Sequence, residues 1–251
     1  MTRTMTSAGL LMQVAEVTVR FGGVTAVRNA SLDAAAGHVT GLIGPNGAGK
    51  TTLFNVITGL QAPTQGGISL AGEDITAKAT HERARRGIAR TFQRLEAFGS
   101  LSVWENVLVA AEIHRLHGWH RKHRETPAQV TQRVIERVGL SGYAYRQADS
   151  VPTGIARLLE LARALALEPR LLLLDEPSSG LSTAETESFG DLLRELAGEG
   201  KAVLIVEHDM DLIMRVCDRI HVLNFGEVIA TGSPAEIRAD EGVQRAYLGH
   251  T

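Results

Sequence analysis

The sequence predicts an α/β fold built on a mostly parallel sheet covered on both faces. Three observations carry that expectation. Short apolar runs at Val39–Ile43, Leu171–Asp175 and Ala202–Glu207 read as strands buried on both sides, each followed by a helical pattern. A glycine-rich loop lies between the first of these runs and its helix. A pair of acids closes the second.

In chain order, Met12–Phe21 alternates apolar and polar residues and reads as a strand. A helix is expected from Gly49 to Thr58, and further strands at Gly66–Leu70 and Ile88–Phe92. From Leu101 to Leu140 the pattern turns helical. Gly154–Leu167 is an amphipathic helix with Leu158, Leu161 and Leu165 on one face. Helix Thr183–Leu196, helix Met210–Val216 and strand Arg219–Asn224 complete the alternation around the two later apolar runs. Residues 10–250 read as a single domain, with 95–165 as a helical subdomain within it.

Composition narrows the function. The chain has 251 residues, 44% hydrophobic and 22% charged, with a net charge of -2. That is ordinary globular composition without the basic footprint of a nucleic-acid binder, so no nucleic-acid partner is expected. Its one cysteine, Cys217, cannot close an internal disulfide and reads as core filler in a reducing compartment. No window approaches the ~18 apolar residues of a membrane span, and Met1–Leu10 lacks a signal-peptide core. A cytoplasmic protein is expected, reaching a membrane only through a partner.

The strongest motif is Gly44-Pro45-Asn46-Gly47-Ala48-Gly49-Lys50-Thr51-Thr52, between a buried strand and a helix. Its glycines let backbone N–H groups turn inward around phosphate oxygens, and the helix N-terminus adds its positive end. Lys50 would sit at the β- and γ-phosphates of a nucleotide, and the Thr51 hydroxyl would ligate Mg²⁺. The run Leu171-Leu172-Leu173-Leu174 delivers Asp175 and Glu176 at the carboxyl end of a strand, where α/β sheets place ligands. Asp175 suits the metal shell, and Glu176 suits a general base for an attacking water. Together the two motifs define an ATPase of the phosphate-loop class.

With these residues in place the chain resembles the ABC ATPase family over nearly its whole length. The resemblance implies an antiparallel β subdomain near the N-terminus. It also implies roles for single residues. Gln93, in Ala89-Arg90-Thr91-Phe92-Gln93, matches the glutamine that touches magnesium and the attacking water and relays state to membrane subunits. His208, in Val206-Glu207-His208-Asp209, matches the histidine that contacts the γ-phosphate and orients the water. Phe21 matches the aromatic that stacks on adenine. Ser179-Gly180-Leu181-Ser182 lies where the family crosses to a second subunit, with Ser182 standing where this branch commonly has Asn or Asp.

One segment departs from the pattern. The family signature resembles Leu-Ser-Gly-Gly-Gln and grips the γ-phosphate held by the opposite subunit. Here it reads Val151-Pro152-Thr153-Gly154-Ile155. Gly154 and the following helix remain, and Thr153 offers a substitute hydroxyl, so nucleotide contact is expected from Thr153 and Gly154. The alternatives are an ATP-gated clamp with impaired hydrolysis, or an asymmetric pair in which this chain supplies a weak half-site.

Phe21-Gly22-Gly23, Ala89–Gln93, Glu207–Met210 and Ala246-Tyr247-Leu248-Gly249 look like the ATPase subunits of branched-chain amino acid importers. Urea-type and lipopolysaccharide-export systems share much of the pattern. The resemblance implies ATP and Mg²⁺ as cofactors and a second ABC ATPase subunit, identical or different, as a head-to-tail partner. It further implies two integral-membrane permeases, an indirect solute-binding protein and a place on the inner face of the cell membrane. ABC proteins of DNA repair or translation are the other class, but the chain lacks their coiled coils, zinc motifs and tandem domains. The basic, histidine-rich run His114–Arg124 reads as a solvated face rather than a metal site, with contact to a membrane subunit or anionic lipid headgroups as the alternative.

Overall fold

The computed structural model describes residues 9–93, 95–116 and 125–248. It begins with β1 (Leu10–Phe21) and β2 (Val24–Ala35), paired antiparallel through a hairpin at Gly22-Gly23. β3 (Val39–Ile43) leads through the glycine-rich loop into α1 (Lys50–Thr58). β4 (Gln65–Leu70) and β5 (Glu73–Asp74) join β1 and β2 in an antiparallel sheet of order β2-β1-β4-β5. Short α2 (Thr80–Arg85) precedes β6 (Ile88–Arg90).

α3 (Val103–Leu116), α4 (Pro127–Val138) and α5 (Thr153–Leu165) pack together as the helical region. The stretch 101–140, which reads as helical, holds α3 and α4 among the described residues. Thr126 caps α4 and Pro127 starts it, which sets a boundary that helical periodicity alone passes over. β7 (Leu171–Asp175), α6 (Thr183–Gly198), β8 (Ala202–Val206), α7 (Met210–Val216) and β9 (Arg219–Asn224) follow as the alternation predicts. β10 (Glu227–Gly232), α8 (Pro234–Ala239) and α9 (Glu241–Leu248) complete the order.

The second sheet has order β10-β9-β3-β8-β7-β6 and is parallel except for the β10 edge. Its strands alternate between two cores. Leu172, Leu174, Val203 and Ile205 face the helices α3–α7, while Leu171, Leu173, Leu204 and Val206 face α1 and the antiparallel sheet. Burial on both faces is the reason these strands read as unbroken apolar runs.

Several elements escaped the sequence reading. β2 carries a bulge with Asn29 at φ 46, which breaks its alternation. β10 is a half-exposed edge strand with weak apolar content. Ile88–Phe92 ends as a strand at Arg90, after which the chain turns toward the site.

Candidate active site

The carboxyl ends of β3, β8, β7 and β6 lie side by side, and each delivers one part of the site. β3 delivers the loop from Gly44 to Gly49, β8 delivers His208, β7 delivers Asp175 and Glu176, and β6 leads to Gln93. A cleft of about 280 Å³ is lined by Asn46, Gly47, Lys50, Gln93, Glu176 and His208, with Ala48, Gly49, Thr51 and Thr52 also on its wall.

The loop chemistry is local. Gly49, the residue before α1, has φ 107, and a Cβ there would lie 2.6 Å from the Ala26 carbonyl oxygen. Only glycine meets both demands. Lys50 is buried, and its Nζ donates to the Gly44 and Pro45 carbonyls at 2.7 and 3.0 Å. Burial pushes its ammonium below the ordinary lysine range, and the carboxylates of Glu176 and Asp175 act against that shift. The loop is thus wrapped around its own cation.

Glu176 stands at φ 49, an unusual conformation for a residue with a side chain, anchored by its N–H to the Val206 carbonyl at 2.9 Å. Its Oε1 lies 3.0 Å from His208 Nε2, and its Oε2 accepts from Gln93 Nε2 at 3.2 Å. Glu176 therefore already touches both of the other residues expected to act on water.

Three further residues, to which the sequence reading assigned no role, brace this arrangement. Buried Glu207 accepts from Ser178 N at 2.7 Å and from His208 N at 3.0 Å, tying the turn after Glu176 to the histidine. Arg157 of α5 donates to the carbonyls of Phe92 and Gln93 at 2.9 and 2.5 Å. Arg90 Nη2 donates to Asp175 Oδ2 at 2.9 Å, and this ion pair is buried. No local pattern marks such long-range partners.

Other predicted residues lie apart from the cleft. Phe21 is half exposed at the β1–β2 hairpin and is not part of the cleft wall. Thr153 and Gly154 open α5, which has no side-chain cap; Thr153 is exposed. A Cβ on Gly154 would lie 2.7 Å from the Gly180 carbonyl oxygen, so this segment packs on the Ser178–Ser182 turn instead of the chain's own cleft. Ser182 caps α6, accepting from Glu185 N at 3.3 Å and donating to Glu185 Oε2 at 2.7 Å. The expected solvated face fails at His114, which is mostly buried and 3.6 Å from Glu168; residues 117–124 of that run lie outside the described residues.

Comparison with known proteins gives the family. Residues 27–179 match the family model for the ABC transporter, and residues 227–251 match that for the branched-chain amino acid ATP-binding cassette transporter. The chain belongs to the ABC transporter ATPase family, and it is an ATP-binding, ATP-hydrolysing subunit of that class. Within the family it falls with the branched-chain amino acid branch. It is 41% identical over 249 residues to the high-affinity branched-chain amino acid transport ATP-binding protein LivG of Salmonella typhimurium, covering 95% of this chain and 98% of that one. BraF of Pseudomonas aeruginosa, of the same description, is 40% identical with the same coverage. The lipopolysaccharide export protein LptB of Acidithiobacillus ferridurans is 38% identical over 223 residues, 89% of this chain and 90% of its own. Among solved structures, the ADP conformation of an ABC transporter cassette superposes with a TM-score of 0.83 at 29% identity, covering 96% and 99% of the two chains. Among the described residues no helix is long and apolar enough to cross a membrane.

Proposed function

We propose that this chain is the motor subunit of a branched-chain amino acid importer, binding MgATP in the cleft above β3, β8, β7 and β6. The observation that carries the reading is the convergence of the phosphate loop, Gln93, Glu176 and His208 on that one cleft. Residues 10–250 act as one ATPase domain, with 95–165 as its helical subdomain. The cargo rests on the relatives' names, and lipopolysaccharide export is the second reading through LptB.

Asn46, Gly47, Ala48 and Gly49 cradle the phosphates through backbone N–H groups and Thr52 adds its hydroxyl; Gly44 and Pro45, the latter without an N–H, shape the turn, and Lys50 releases their carbonyls to meet the β- and γ-phosphates. Phe21 stacks on the adenine. The Thr51 hydroxyl, the Gln93 amide oxygen and Asp175 are all hard oxygen donors, and among the described residues no cluster of three metal-ligating side chains competes with them. That donor set fits Mg²⁺, which takes one or two carboxylates plus substrate phosphates and neutralises charge on them when bound. Glu176 takes the proton of the attacking water while His208 and Gln93 hold the geometry. Thr153 and Gly154, turned away from their own cleft, serve the nucleotide of a second ABC ATPase subunit. Two permeases then anchor the pair to the cytoplasmic face of the membrane, and a solute-binding protein acts upstream of them.

The purified chain should hydrolyse ATP only with Mg²⁺. Glu176→Gln should bind ATP yet lose about 10²–10⁴-fold in rate. Cells lacking the chain should regain labelled leucine uptake with the wild type and not with Glu176→Gln. Leucine uptake that ignores the chain would reject the cargo and leave the ATPase reading standing; undiminished hydrolysis by Glu176→Gln would reject the assignment of the base.

A further inference from the structure

Arg90 closes β6, and its guanidinium reaches three parts of the site at once. Nη2 donates to Asp175 Oδ2 at 2.9 Å, and Nη1 donates to Asn55 Oδ1 at 2.7 Å. Its Cζ lies 5.3 Å from the ring centre of Phe54 and 4.9 Å from that of Phe92, within cation–π range of both. Phe54 and Asn55 belong to α1, which begins at Lys50 and Thr51; Phe92 adjoins Gln93; Asp175 adjoins Glu176. Both members of the ion pair are almost wholly buried, at 5% and 3% side-chain exposure.

A buried ion pair is weak evidence for stability, because desolvation offsets most of its attraction. Its geometric effect is plainer. One oxygen of Asp175 is committed to a planar fork whose other arm is fixed on α1. The carboxylate cannot rotate about its last bond without breaking the 2.9 Å contact, so Oδ1 is the oxygen left for another ligand. Lysine could not reproduce this, because a single ammonium lacks the rigid two-armed fork.

We propose that Arg90 is a positioning residue for the metal: it fixes the Asp175 carboxylate relative to α1, so that Oδ1 meets Mg²⁺ when the nucleotide arrives. The inference rests on the reading of Asp175 as a metal-shell residue. Partners that orient metal ligands typically control about 10–100-fold in metal affinity.

The test is a calorimetric titration of Mg²⁺ into the full chain saturated with ADP, alongside titration of ADP in EDTA. Arg90→Lys should weaken Mg²⁺ binding by about 10–100-fold and leave ADP binding in EDTA within about twofold. Unchanged Mg²⁺ affinity would overturn the proposal. Equal losses with and without Mg²⁺ would also overturn it, since that pattern marks a purely structural ion pair. If Arg90→Lys does not fold, Asn55→Ala decides: it frees one arm of the fork, and unchanged Mg²⁺ affinity there would reject the proposal. Asp175→Asn separates the two layers. If it leaves Mg²⁺ affinity intact, the metal reading fails and takes the Arg90 role with it; if it abolishes the Mg²⁺ gain while Arg90→Lys does not, only Arg90 is misassigned.

Discussion

Single side chains in this protein are held by partners far away in the sequence. Glu176 keeps its left-handed backbone through the Val206 carbonyl, and its carboxylate is shared between His208 and Gln93. Away from the cleft, Asp33 behaves similarly. Its Oδ1 lies 3.4 Å from both His221 Nε2 and Arg219 Nε, and His221 Nδ1 is 2.9 Å from Thr231 Oγ1. The His221 hydrogen bond, helped by Arg219, holds the Asp33 carboxyl below the usual carboxylate range. A lowered folded-state value means that the ionised group stabilises the fold above about pH 3.9, and that this is lost as pH falls through the folded value. Asp33→Asn should cost about 1–2 kcal/mol at pH 7. In urea unfolding the gap to the wild type should close as the pH drops below the ordinary aspartate range; a gap constant with pH would exclude the ionised carboxylate as the source.

At the scale of elements, α1 is braced at its far end as carefully as at its phosphate end. Arg83 is 1% exposed and donates to four carbonyls, those of Val56, Ile57, Thr76 and Lys78, at 2.6–2.9 Å. Two of these belong to the last turn of α1, where a cation also complements the helix dipole. Arg83→Ala should therefore cost about 3 kcal/mol, measured by chemical denaturation, because two buried and two part-buried acceptors lose a charged donor. α2, which carries Arg83, gave no usable signal: it has six residues, and an arginine-rich stretch reads as solvated surface. α1 itself was legible because its glycine loop and apolar face are local features.

For the whole molecule, Thr153 and Gly154 lie apart from the residues that line the cleft. Their segment is seated against Gly180, and under the proposed function it serves the nucleotide of a paired chain. Gly154→Ala would press a methyl group to 2.7 Å from the Gly180 oxygen. ATP binding to the chain's own cleft should survive this change. Glu176→Gln should pair on binding ATP, read as a rise in solution mass, and adding Gly154→Ala should abolish that rise. A dimer that persists would mean that Gly154 does not serve the partner's nucleotide.

The sequence by itself determined the α/β class, the buried strands, the phosphate loop and the acids after Leu174, because each is written in contiguous residues whose spacing follows helix or strand geometry. It also named Gln93 and His208, through resemblance. Tertiary structure alone decided the strand order that brings four carboxyl ends together, the pairing of Arg90 with Asp175 across 85 positions, and the seat of Gly154 on Gly180. It turned the expected solvated His114 into a mostly buried partner of Glu168. The physical reason is common to all of these: a buried charge or a close backbone approach is satisfied by whatever the fold brings near, and nothing in the neighbouring residues records which partner that will be.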